Sequence, residues 1–115
     1  MIVTNGKIEI MKWMGGESAT APTHIGFGTG TTNANASDTA LEVELERKAV
    51  STTRSGQEVL YEITIPTVDH DGETISEIGI LNAASDGTLI NRVTFNGIAK
   101  TTAFDIQIDV TLRLL

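Results

Sequence analysis

One glycine-rich stretch has the composition of a phosphate-binding loop. Residues 26–32 read GFGTGTT, and the backbone N–H groups of such loops hold phosphate where a helix begins. That chemistry also needs a lysine followed by serine or threonine after the glycines, and neither this pair nor the dinucleotide spacing is present. We therefore interpret these glycines as a requirement of turn geometry or of close backbone packing.

A second cluster combines two carboxylates with an imidazole. Asp69, His70 and Asp71 precede Gly72, and such oxygen and nitrogen groups could hold a divalent cation. The same residue types are ordinary in a β-turn, and the glutamate that closes a helical calcium loop is missing. We interpret the cluster as a turn and keep cation binding by these three side chains as the alternative.

Hydrolytic chemistry would need a nucleophile, a base and an orienting acid. The chain has two histidines, His24 and His70, and no Gly-x-Ser-x-Gly elbow accompanies either of them. His24 stands at the start of a short strand pattern, which favours a structural hydrogen bond. The sequence therefore predicts no catalytic residue, no cofactor and no enzymatic activity.

Composition restricts the class of protein further. The chain has 115 residues, no cysteine and a net charge of −7, so thiolate metal sites are excluded and nucleic-acid binding is disfavoured. No apolar run approaches the length of about 20 residues that a membrane helix needs. We expect one soluble domain, residues 1–115, without nucleic-acid or membrane partners.

Alternation of apolar and polar residues predicts the elements that would position any site. Residues 104–115, FDIQIDVTLRLL, place apolar side chains on one side of an extended chain and polar ones on the other. Turn residues separate this strand from five further strand patterns. The fold class that we predict is all-β, mainly antiparallel: a compact β-sandwich of about six strands, at 24–28, 41–50, 58–66, 74–82, 88–95 and 104–115.

Two segments of the chain are less regular. Residues 4–14 fit either a two-residue hairpin turn at Asn5-Gly6 or a helix that ends at Gly15-Gly16. We prefer the helix, with Ile10, Trp13 and Met14 on one face, so that residues 1–16 form an N-terminal helix or arm. Residues 29–39, TGTTNANASDT, predict an ordered surface loop, because such side chains bond to nearby backbone.

Five stretches in this order are familiar: 22–32 (PTHIGFGTGTT), 36–42 (ASDTALE), 46–49 (ERKA), 75–84 (ISEIGILNAA) and 92–101 (RVTFNGIAKT). With them the chain resembles small structural proteins of tailed bacteriophages, of the tail-fibre or tail-collar type. The resemblance implies a non-enzymatic virion component, made in the host cytoplasm and placed in the tail, the tail tip or baseplate, or the fibre attachment. A capsid decoration protein is the alternative within this class.

Partners follow from the same resemblance. It implies a homo-oligomer, a ring or a trimer, that also contacts other virion proteins. A receptor- or carbohydrate-binding β module is the alternative from another class, and the scarcity of aromatic residues, 4% of the chain, speaks against it. Trp13 with two nearby methionines could be a core anchor or an apolar patch for a neighbouring subunit. The subunit-interface residues that we predict are Met11, Trp13, Met14, Thr29, Thr31, Thr32, Asn33 and Asn35.

Overall fold

The computed structural model describes residues 1–115 and contains one helix and seven strands. The elements are α1 (Thr4–Met14), β1 (His24–Gly28), β2 (Glu44–Ala49), β3 (Ser51–Ser55), β4 (Glu58–Ile65), β5 (Thr74–Leu81), β6 (Leu89–Ala99) and β7 (Ile106–Arg113). The helix has neither the length nor the apolar character to cross a bilayer.

The strands form two antiparallel sheets. The first sheet has the order β2-β1-β5-β6 and the second has the order β3-β4-β7. Every pairing within them is antiparallel. The predicted all-β sandwich with a short N-terminal helix is therefore confirmed.

The core lies between the sheets because alternate residues of facing strands point inward. From β1 of the first sheet, Ile25 and Phe27 are fully buried, and from β4 of the second sheet so is Ile65. One apolar cluster unites them with seven further buried residues: Tyr61, Ile63, Ile75, Ile80, Ile90, Ile108 and Val110. This arrangement leaves the opposite face of β1 and β5 for other contacts.

One strand was missed by the sequence pattern. Residues 41–50 were expected to form a single strand, but β2 ends at Ala49 and the chain passes through Val50 into β3 of the second sheet. The β3 sequence STTRS is exposed at every position. Its residues do not alternate between apolar and polar, because β3 is an edge strand that is held to β4 by backbone hydrogen bonds.

The helix α1 turns inward a face that includes only part of the predicted stripe. Gly6 and Glu9 are its buried residues, while Met14 is 78% exposed. A Cβ atom on Gly6 would lie 2.1 Å from the backbone oxygen of Ile90, so glycine permits the helix to approach β6 closely. Of the predicted stripe, Ile10 and Trp13 are half-buried, so the prediction was wrong for Met14 alone. Trp13 still packs against the core.

Candidate functional site

Two charged side chains are buried within the apolar strands β5 and β6. Glu77 is 0% exposed and Arg92 is 2% exposed. Glu77 pairs across the strands with Gly28, whose neighbour Phe27 faces the core, so Glu77 points to the outer face of the first sheet. Buried charges are rare unless they are paired and hydrogen-bonded, which makes this pair the most informative polar site of the molecule.

The carboxylate of Glu77 accepts four hydrogen bonds. Its Oε2 accepts from the backbone N–H groups of Gly30 and Val43, both at 2.8 Å. Its Oε1 accepts from the backbone N–H of Glu42 at 2.8 Å and from Nε of Arg92 at 3.0 Å. A carboxylate has about four lone-pair sites, so Glu77 is saturated by groups of this chain.

Arg92 extends the network to the loop that lies over the sheet. Its Nη1 donates to Oδ2 of Asp38 and its Nη2 donates to the backbone oxygen of Thr32, each at 3.0 Å. With its bond to Glu77, the guanidinium joins β5, β6 and two points of the loop. We call Asp38, Glu42, Glu77 and Arg92 the clamp, and residues 29–43 the long loop.

Glu42 and Asp38 fix the long loop from within. Oε1 of Glu42 accepts from the backbone N–H groups of Thr31 and Thr32 at 2.9 and 3.3 Å, and the Thr32 hydroxyl donates to its Oε2. Oδ2 of Asp38 accepts from the backbone N–H of Asn35 at 2.8 Å. The order expected for this loop thus comes from local bonds and from Glu77, which the sequence analysis did not identify.

Leu41 is the apolar anchor of the long loop. It is buried in a cluster with Val3, Leu81 and Leu89. A Cβ atom on Gly79 would lie 2.9 Å from Cδ2 of Leu41. Gly79 of β5 pairs directly with Gly26 of β1. Because neither residue has a side chain, the sheet has a depression here, and Leu41 fills it. This is the close packing that the glycine-rich stretch was expected to serve.

The clamp carboxylates are held in the charged form. Burial by itself raises the pKa of Glu77, but the N–H groups of Val43, Glu42 and Gly30 and the Arg92 guanidinium outweigh it and lower that pKa below its usual value. The backbone N–H of Asn35, together with Arg92, lowers the pKa of Asp38. The ionised carboxylate of Glu77, with its acceptor sites occupied, has no free position for a substrate proton or an ion.

Two of the three candidate cation residues, Asp69 and His70, contact other side chains of this chain, and Asp71 is exposed. Nε2 of His70 lies 2.8 Å from Oε1 of Glu46, and Nζ of Lys48 lies 3.5 Å from Oδ2 of Asp69. The His70 ring meets Phe27 edge-on with its centroid 5.2 Å away. No group of three or more His, Cys, Asp or Glu side chains is arranged to hold a metal ion. The other histidine, His24, forms a hydrogen bond between its Nδ1 and Oγ1 of the adjacent Thr23, at 2.8 Å.

A buried lysine holds the turn that precedes β5. Lys100 is fully buried, and its Nζ donates to the backbone oxygens of Thr67 and Thr101 at 2.9 and 2.8 Å. The Phe104 ring centroid lies 5.8 Å from the same atom. The ammonium group is thereby satisfied by this chain, so it is a structural cation.

The predicted interface residues lie on α1 and on the long loop. Met11 and Met14 are exposed, whereas Trp13 is half-buried against the core with no hydrogen-bond partner for its indole Nε1. The loop residues Thr31, Thr32, Asn33 and Asn35 are exposed, and Thr29 is half-buried. Several of them use their polar groups within the loop.

Part of the long loop borders a polar groove of about 500 Å³ on the outer face of the first sheet. The opposite wall comes from β5 and from a β-bulge in β6, where residues 95–97 oppose Ser76 alone. No charged side chain lines the groove. Its lining residues are Thr29, Thr31, Asn33, Thr74, Ser76, Thr94, Phe95, Asn96 and Gly97.

A second groove, of about 670 Å³, is mostly apolar. It lies between Ile10 and Trp13 of α1 and the adjoining ends of β4 and β7, where Val59 and Leu112 contribute. Leu114, just beyond β7, is 76% exposed. This end of the second sheet therefore exposes apolar side chains close to the edge strand β7.

No protein-family model, no curated protein and no solved structure matches this chain.

Proposed function

We propose that this chain is a non-enzymatic structural subunit of a tailed-bacteriophage particle. It is an oligomeric component of the tail, the tail tip or baseplate, or the fibre attachment, and it contacts copies of itself and other virion proteins. The proposal rests on the resemblance of five stretches of the sequence to small phage structural proteins and on what those stretches do in the fold.

The observation that supports it most directly is the convergence of four of those five stretches on the clamp and on Gly30, which donates to it. Gly30, Asp38 and Glu42 come from the first two stretches, Glu77 from the fourth and Arg92 from the fifth. These residues therefore fix a polar loop to the sheet by hydrogen bonds within the chain. A repeated subunit that acts by shape needs such fixed surfaces.

Purified particles of the encoding phage provide the test. Quantitative mass spectrometry should find the chain in them, and imaging with a bound antibody fragment should place it on the tail in few copies. One copy for each repeat of the head lattice would support the decoration protein instead. Particles that lack the chain would refute both positions.

The polar groove favours a second candidate function, a carbohydrate-binding module. Its walls carry uncharged hydroxyl and amide groups, and Phe95 offers a ring that is 36% exposed, a suitable combination for a neutral hydroxylated ligand. Glycan-array binding that Phe95→Ala abolishes would support this function. Phe104→Ala is the matched control, because Phe104 is 39% exposed outside the groove. Equal loss in both variants, or no binding by the wild type, would reject it.

A further inference from the structure

The outer edge of β7 is unpaired. β7 ends the strand order of the second sheet, and the backbone N–H of Leu114 donates to Gln57 at 3.1 Å in register with the β4 pairing. Backbone groups alternate in direction along an antiparallel strand. The even-numbered residues therefore bond to β4, and the N–H and C=O groups of Gln107, Asp109, Thr111 and Arg113 point away from the sheet.

This edge lacks several of the usual protections against pairing. β7 has eight residues without proline or lysine, and its register with β4 has no bulge. The edge of β6 is partly covered, because Val3 donates its backbone N–H to Ile90 and Arg92 donates to Met1, both at 3.0 Å. The edge strand β2 has a bulge in its pairing and carries Lys48, and β3 has only five residues.

Charge on the exposed face of β7 is unbalanced. Asp109 lies directly opposite Glu62 of β4, and like charges in such a pair repel. Nε2 of Gln107 bridges the two carboxylates at 3.2 and 3.0 Å, but no cation contacts either one. Arg113, the single basic residue of the strand, is bonded to Glu58.

We propose that β7 pairs with β7 of a second copy, antiparallel, about a two-fold axis at Thr111. This inference rests on the proposed oligomeric function and identifies the strand through which two copies associate. Asp109 then lies opposite Arg113 of the second copy, twice by symmetry. On the other face Val110 meets Leu112, and Ile108 meets the exposed Leu114.

The register is selected by the sequence. Only odd-numbered residues have outward backbone groups, so the alternatives shift the pairing by two residues at a time. One alternative places Asp109 opposite Thr111 of the second copy, and the next places Asp109 opposite itself. Among registers that pair residues within β7, the Thr111-centred register alone joins opposite charges, and it forms about six backbone hydrogen bonds between residues 109–113 of the two copies.

The contact closes at two copies, since a two-fold interface uses the same surface on both subunits. A ring or a trimer built from this chain therefore needs a different contact in addition. The paired sheets form one continuous six-stranded sheet, in which both β7 edges are covered and a β3 strand remains at each outer edge.

Charge reversal tests the pairing. Asp109→Arg places two arginines opposite one another, and Arg113→Asp places two aspartates together. Each variant should weaken dimerisation at least about tenfold in sedimentation equilibrium, because like charges across an interface are strongly unfavourable. The double variant D109R/R113D restores opposite charges and should recover most of the affinity. Circular dichroism confirms that each variant is folded.

Single cysteines report the register, since the chain has none of its own. Thr111→Cys should give a disulfide-linked dimer, because the Cα atoms of a hydrogen-bonded pair lie about 5.5 Å apart, within the range of a disulfide. Asp109→Cys is the control and should remain monomeric under denaturing, non-reducing conditions. Cross-linking through Asp109→Cys in place of Thr111→Cys would overturn the proposed register.

Two further results would overturn the pairing itself. They are a wild-type chain that stays monomeric at high concentration, and a dimer that the single charge reversals leave unchanged. Neither bears on the location of the chain in particles. A chain that is monomeric in solution but present in virions would refute the β7 contact and leave the structural role in the particle standing, whereas a β7 dimer absent from virions would do the reverse.

Discussion

The long loop and the free edge of β7 use polar groups in opposite ways. Over the first sheet, the backbone N–H groups of Gly30, Glu42 and Val43 are all bonded by buried Glu77. Along β7, the outward backbone groups of alternate residues have no partner. The difference separates residues that specify this fold from residues that are available for a second molecule.

The comparison also explains the distribution of charge. Arg92 is enclosed by two carboxylates and a backbone oxygen, while Asp109 faces another carboxylate. Removing a buried partner leaves an isolated charge in the protein, whereas an exposed charge is screened by water. Substitutions in the two regions should therefore change the free energy of unfolding by different amounts and in opposite directions.

The largest effect is expected from Arg92→Ala. It leaves Glu77 buried without its cation and should lower the free energy of unfolding by about 3–5 kcal/mol, measured by urea denaturation. Arg54→Ala is the matched control, because Arg54 bonds only the backbone oxygen of Gly56 at an exposed position. That control should change stability by less than about 0.5 kcal/mol. Equal effects of the two substitutions would show that the clamp does not stabilise the fold.

Leu41→Ala should come next. Removing the buried anchor of the long loop leaves a cavity over Gly79 and should cost about 2–5 kcal/mol in urea denaturation. Val43→Ala on the same loop is the control, since Val43 is half exposed, and it should cost much less. A small loss for Leu41→Ala would mean that the loop is held by its polar bonds alone.

As the pH falls, the folding stability that the clamp provides should decrease before the clamp carboxylates of the folded chain become protonated. The folded state holds the pKa values of Glu77 and Asp38 below their usual values, so the unfolded chain binds more protons as the pH falls. Stability from these groups is complete above the unfolded pKa values of about 4 and is lost progressively below them. Denaturation midpoints measured from pH 6 to pH 2.5 should fall less steeply in Asp38→Asn. An unchanged slope in that variant would contradict the role of Asp38.

The smallest effect is expected from Asp109→Asn on β7. This substitution should stabilise the isolated chain but weaken the dimer. Asp109→Asn removes the repulsion from Glu62 and should stabilise the isolated chain by about 0.2–1 kcal/mol. The same substitution removes the charge that meets Arg113 of the second copy, so dimerisation should weaken. Thermal unfolding in dilute solution and sedimentation measure the two quantities. A change of the same sign in both would argue against the β7 pairing.

The sequence predicted the strands in which apolar and polar residues alternate. It did not predict the features that depend on backbone groups far away along the chain. β4 and β7 were recognised because their apolar residues recur at every second position. β3 has no such pattern. The clamp was missed because the backbone donors to Glu77 lie 34 to 47 residues away along the chain. Glu77 and Arg92 within apolar strands were the available signal, since a charge on a buried face requires a partner.

Amide hydrogen exchange, followed residue by residue at two protein concentrations, tests both halves of this account together. The amides of Gly30, Glu42 and Val43 should be strongly protected at every concentration, because Glu77 holds them in the folded chain. The amides of Asp109, Thr111 and Arg113 should exchange rapidly in dilute solution and become protected as the concentration rises. Rapid exchange in the long loop, or β7 amides that do not respond to concentration, would contradict the account.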